Sequence, residues 1–144
     1  MAQKKSKNIG FNVKPPKQTC NDAKCPFHGQ LKIRGRVFSG VVIKADMHKS
    51  CTVEWPRTFF VPKYERYERR RTRVHAHNPP CINAKKGDRV IIAECRPISK
   101  TKKFVVIENK GLDIQYKLKE EGLEEAKFKQ KEEKETEEPS AKGE

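Results

Sequence analysis

Between residues 30 and 109 the apolar residues come in five short runs separated by turn-forming residues, and no window there carries a helical stripe. A chain patterned this way can bury its apolar faces only by pairing strands. The first run is LKIRGRVFSGVVIKA (31–45), in which Leu31, Ile33, Gly35 and Val37 alternate in phase and Arg34 and Arg36 take the opposite face. Gly40 permits a bulge or bend before Val41-Val42-Ile43. The second is CTVEW (51–55), with Pro56 expected to end regular pairing because it lacks an N–H. The third, RRRTRVHAH (69–77), places Arg70, Thr72, Val74 and Ala76 on one face and Arg69, Arg71, Arg73, His75 and His77 on the other. RVIIAEC (89–95) follows a Gly87-Asp88 turn, and KFVVIE (103–108) is closed by Asn109-Lys110-Gly111. Five strands around a small core predict an all-β, five-stranded barrel over residues 30–112.

The segments flanking that region differ from it. Residues 1–29 hold six Lys, one Asp and Pro15-Pro16 with few apolar groups, and read as a basic N-terminal extension. Its first 24 residues are expected to order only on a polyanion. Residues 113–144 form a charged C-terminal tail, expected to be flexible, with Glu/Lys pairs at helical spacing that allow a frayed helix. Ten Glu against six Lys give residues 119–144 a net charge of −4, so the other 118 residues carry +18 of the chain's total of +14.

A body that basic is expected on an anionic surface, and nucleic acid fits better than lipid. The sequence has no basic amphipathic helix with a broad apolar face, no lipidation signal and no long apolar run, so no membrane partner is expected. Without a signal-peptide or transit-peptide pattern, and with an odd count of five cysteines, a reducing cytosolic location is expected.

The densest cationic run is KYERYERRRTR (63–73), where Lys63, Arg66, Arg69, Arg70, Arg71 and Arg73 interleave with Tyr64 and Tyr67. Arginine forks onto phosphate oxygens and stacks on bases, and tyrosine stacks or bonds a 2′-hydroxyl. Glu65 and Glu68 balance too little of that charge for an ordinary solvated face. Arg96, Ser99, Lys100, Thr101 and Lys102 form a second basic loop, and Lys44, His48 and Lys49 a third. In oligonucleotide-binding barrels the loops in these two places flank the nucleic-acid face, so the three elements are expected to converge.

Catalysis finds little support. His75 and His77 share a strand face, but no carboxylate in the local sequence orients either ring, and no phosphate loop or Gly-x-Ser-x-Gly occurs. No small-molecule substrate is expected. Cys20-x4-Cys25-x2-His28 brings three zinc-type ligands together, with Cys51, Cys81, Cys95 or His48 as alternatives for the fourth. The opposing reading is three small reduced side chains with no ion. Zinc, if bound, would pin the N-terminal segment; the fold requires no other cofactor. A zinc-dependent nuclease would need a carboxylate beside the ligands, which the sequence does not offer.

ECRPISKTK (94–102) followed by FVVIE resembles the small-subunit ribosomal protein seventeen family. KYERYERRR (63–71), RVHAHNPPC (73–81) and GDRV (87–90) match the same family in the same order, and CPFHG (25–29) with RGRVFSGVV (34–42) is similar to its archaeal form. The resemblance spans roughly residues 24–109. It implies an oligonucleotide-binding barrel that binds the 5′ domain of small-subunit rRNA, beside neighbouring ribosomal proteins in the cytoplasmic ribosome. The residues it implies at the RNA are Lys63, Tyr64, Arg66, Arg69, Arg70, Arg71, Arg73, His75 and His77, with Arg96, Ser99, Lys100, Thr101 and Lys102. A different class stays open: a free single-strand-binding translation factor on the same barrel. Such barrels display stacking aromatics, which the predicted outer faces here mostly lack.

Overall fold

The computed structural model describes residues 6–45 and 47–137; the ends of both the N-terminal extension and the C-terminal tail fall outside them, as does Asp46. Five strands form: β1 (Ile33–Lys44), β2 (Ser50–Val61), β3 (Arg66–His77), β4 (Asp88–Cys95) and β5 (Lys102–Leu112), followed by helix α1 (Ile114–Glu137). The strands close in the order β1-β2-β3-β5-β4, with β3 and β5 parallel and every other pair antiparallel. This is the all-β barrel the apolar runs predict.

Long strands make that closure possible, because β1 serves two neighbours. At Val41 it is paired with Glu54 of β2 on one side and Arg89 of β4 on the other. The irregularities of β1 lie on either side of Gly40: one register shift between Ile33 and Val37 around Gly35, whose φ is +94°, and one between Val42 and Lys44. Gly40 instead marks a close approach, since a Cβ there would sit 2.7 Å from the Glu54 carbonyl oxygen and 2.8 Å from Val53 Cγ1. Val42, Val53, Ala76, Val90, Ile92 and Val106 fill the barrel interior, with Phe38 stacked on Trp55 at 4.8 Å.

Two strands run past their expected ends. β2 continues through Pro56, which pairs with Arg71. The β1–β2 ladder has already ended at Glu54, so the missing N–H falls on a part of β2 paired on one side only. β5 likewise continues through Asn109-Lys110-Gly111 to Leu112.

The N-terminal segment corrects the picture of a bare arm. Phe27 and Cys25 are buried, and Ile9, Val13 and Leu31 pack with Ala93, Cys95, Val105 and Ile107 on β4 and β5. Those two strands are therefore apolar on both faces, which is why they read as continuous runs rather than alternations. Burying Phe27 alone contributes roughly 1.5–3 kcal/mol, so residues 20–31 have a reason to fold without a polyanion.

The chain divides into two compact units, the first ending at Leu112 and the second beginning at Asp113. Over Ile114–Glu137 the tail is a continuous helix. The Asp113 carboxylate caps it by accepting from the Gln115 and Tyr116 amides, and Lys117 pairs with Glu121 one turn on.

Candidate nucleic-acid interface and cysteine–histidine cluster

Beyond the barrel, β2 and β3 have only each other. Their ladder runs from Ser50↔His77 to Val61↔Arg66, whereas β3 meets β5 only at His75–His77. The rest projects as a two-stranded ribbon, closed by a 3-10 turn at Pro62–Tyr64 and a left-handed Glu65 at φ 48°. Its register sets the chemistry. Tyr67, Arg69, Arg71, Arg73 and His75 share one face with Phe60, Thr58, Pro56, Glu54 and Thr52 directly opposite.

Glu54 organises this face: Arg73 Nε donates to its Oε2 at 2.6 Å, and Arg71 Nη1 lies 3.9 Å from its Oε1. Exposed pairs of this kind contribute about 0–1 kcal/mol, so Glu54 aligns the guanidinium groups more than it stabilises the fold. Arg66 and Arg69 make no ion pair among the described residues. Arg70 points to the other face, pairs with Glu68 and covers the Phe59 ring at 4.0 Å. His75 is exposed and hydrogen-bonded through Nδ1 to Thr52 Oγ1 at 3.1 Å.

His77 has the same strand parity but a different fate. It is 2% exposed, and its Nε2 donates to Asp22 Oδ2 at 2.7 Å. The N-terminal segment lies over this end of β3, so His77 is removed from the outward-facing set. Burial pushes the Asp22 carboxyl up, but hydrogen bonds from the Lys24 amide and His77, with the Lys49 charge 3.9 Å away, hold it below its ordinary value.

The loops also divide. Lys102 Nζ donates to Ser50 Oγ at 2.7 Å, tying the start of β5 to the start of β2 and so bringing the 96–101 and 45–49 loops together. Arg96, Ser99, Lys100, Thr101, Lys44 and His48 are exposed there, whereas Lys102 and Lys49 are half-buried. Arg34 and Arg36 are exposed beside Ile33, which pairs with Cys95 just before Arg96. The ribbon does not converge with them. From His75 it runs away for eight residues to Tyr67, roughly 27 Å at the usual strand rise, carrying Lys63, Tyr64 and Arg66 to its far tip. The candidate interface is thus a basic stripe rather than a patch.

Sequence reasoning found Tyr64 and Tyr67 but missed the two phenylalanines beside them on the ribbon, Phe59 and Phe60. Phe59, Phe60, Tyr64 and Tyr67 are 37%, 44%, 66% and 74% exposed, with Phe60 and Tyr67 in contact at 5.1 Å. The β-branched and aromatic run Thr58-Phe59-Phe60-Val61 was the available signal, and Pro56 concealed it.

The cysteines sort by location. Cys51 and Cys95 are buried in the two barrel clusters; burial pushes Cys51 up to about 12 and also raises Cys95. The sulfurs of Cys20, Cys25 and Cys81 and a ring nitrogen of His28 instead lie within 4.8 Å of one another. Cys25 Sγ is 3.6 Å from Cys81 Sγ, and His28 Nδ1 is 3.4 Å from Cys20 Sγ and 3.6 Å from Cys25 Sγ. Of the four alternatives for a fourth ligand, Cys81 is the one present; His48, Cys51 and Cys95 lie outside the group. The Cys25–Cys81 contact is the largest influence on both thiols, holding Cys25 well below and Cys81 well above the ordinary range.

Tight local turns position these ligands. The Gly29 amide donates to the Cys25 carbonyl, and a Cβ at Gly29 would meet that oxygen at 2.6 Å. On the other side, the Asn78 side chain bonds both the N–H and C=O of Ala84, bracing the connection that carries Cys81.

Comparison with known proteins agrees with this architecture. The family model for ribosomal protein S17 matches residues 40–108. Small ribosomal subunit protein uS17 of Methanopyrus kandleri is 57% identical over 103 residues, covering 72% of this chain and 87% of that protein. The protein of the same name from Methanococcus vannielii is 55% identical over 70% of this chain and 93% of its own length. That of Methanocaldococcus jannaschii is 53% identical over 74% and 91%. On the match to the barrel and on these three relatives, the chain belongs to the ribosomal protein S17 family.

Proposed function

We propose that this chain is a structural, non-catalytic constituent of the small ribosomal subunit that binds rRNA directly, in the 5′ domain, and supports subunit assembly. The relatives are small-subunit proteins by name, which supports a cytoplasmic place in the ribosome beside rRNA and other ribosomal proteins. No helix among the described residues is long and apolar enough to cross a membrane.

The observation that carries the reading is the projecting ribbon with Arg69, Arg71, Arg73 and His75 in register on one face. A row of cations at alternate strand positions follows successive phosphates without reading bases, and Tyr67 at its outer end can meet ribose hydroxyls. Arg34, Arg36, Arg96, Ser99, Lys100 and Thr101 extend the contact at the barrel end, with Lys44 and His48 from the adjoining loop. Salt titration of binding to a 5′-domain transcript tests it. Neutralising about six phosphates gives a log–log slope of roughly −4 to −5, and Arg69→Ala/Arg71→Ala/Arg73→Ala should flatten it by about 2–3. An unchanged slope would place the interface elsewhere.

A free single-strand-binding factor keeps one observation in its favour, the exposed Phe59, Phe60, Tyr64 and Tyr67. Competition separates the two. The ribosomal reading expects folded 5′-domain rRNA to outcompete an equal mass of unstructured polyuridine; equal competition supports the free factor.

A further inference from the structure

We infer that Cys20, Cys25, His28 and Cys81 form a structural Zn2+ site that fastens the N-terminal segment to the connection between β3 and β4. A tetrahedral ion with Zn–S about 2.3 Å and Zn–N about 2.0–2.1 Å requires ligand-to-ligand edges of roughly 3.5–3.8 Å. Three of the six separations here are 3.4, 3.6 and 3.6 Å, and all lie within 4.8 Å. A Cys25–Cys81 disulfide would need its sulfurs near 2.05 Å, far inside the 3.6 Å found. His28 presents Nδ1 to both Cys20 and Cys25, so one nitrogen serves as the donor. Three thiolates and one imidazole are a closed structural donor set, with no position left for a substrate or a reacting water.

The surroundings fit a thiolate centre. Cys25, Phe27 and Cys81 pack together with Ile9 and Ile82, excluding water from the sulfurs. Binding displaces the remaining thiol protons to solvent, since the sulfurs must ligate as thiolates. Cys81 is 53 residues beyond His28 in the chain, so the ion closes a long loop and secures the cover over His77.

Elemental analysis after gel filtration of the full chain refolded with excess Zn2+ should give one equivalent, and Co2+ in its place should show the visible bands of a tetrahedral thiolate site. Losing an outer-shell partner already weakens metal binding by about 10–100-fold; Cys81→Ser should cost at least about 100-fold in chelator competition, whereas Cys95→Ser should bind as the parent does. Amide exchange on the unmutated chain provides a readout independent of any variant's folding. Chelation should release residues 20–29 and 78–84 together and leave the barrel strands protected. Substoichiometric zinc in the parent, unaltered affinity in Cys81→Ser, a Cys25–Cys81 disulfide in zinc-loaded protein, or exchange that ignores chelation would each overturn the assignment.

Discussion

His75 and His77 sit two residues apart on one strand face, yet one is exposed beside Thr52 and the other is sealed against Asp22. Replacing His77 with Ala leaves a buried carboxylate short of a donor, so unfolding in denaturant should show a loss of about 2–3 kcal/mol, near the upper range for hydrogen bonds to charged groups. His75→Ala should stay within about 0.5 kcal/mol of the parent and weaken RNA binding instead; equal stability losses would contradict the placement of the two rings. Gly40→Ala should cost about 1–3 kcal/mol as an overpacked site, because its Cβ would press on the Glu54 carbonyl and Val53. A thermal midpoint unchanged in that variant would mean that β1 and β2 can separate freely. The alternation in 69–77 made the strand parity of both histidines legible. What covers His77 was not, because Asp22 lies 55 residues away and local pattern carries no trace of it.

The five strands were legible because their apolar runs are short and bounded by turn residues, and the barrel follows from burying those faces together. Their ends were not. Pro56 ends a strand flanked on both sides but is tolerated once β2 has a partner only on β3, a fact of topology rather than of composition. The N-terminal segment was misread for a related reason: Ile9, Val13 and Phe27 are too widely spaced to form a pattern, and become a core only against β4 and β5. The cluster's first three ligands were visible within nine residues of sequence, whereas Cys81 required the fold. For α1, the capping carboxylate makes a direct forecast. Asp113→Ala should lower helicity by circular dichroism, with about 1 kcal/mol of helix stability lost; undiminished helix signal would show that the cap at the Gln115 and Tyr116 amides is idle.

At the scale of the whole molecule, a small barrel anchors one end of a long cationic ribbon, and the same strands that close the barrel continue outward as the proposed binding element. Because β2 and β3 are paired along their whole length, the arginine row is held in register before any RNA arrives, which limits the ordering cost of binding. The fold, the family and the basic character of the surface were all legible in the sequence; the shape of that surface, a stripe with exposed aromatics near its tip, came from the structure. The most direct test of the central claim is chemical footprinting of the purified full chain on intact small-subunit rRNA at low and moderate salt. Discrete protections confined to the 5′ domain, persisting at moderate salt and lost in the Arg69, Arg71 and Arg73 triple variant, are the result expected. Diffuse protections that vanish together as salt rises would contradict a defined rRNA site on the ribbon.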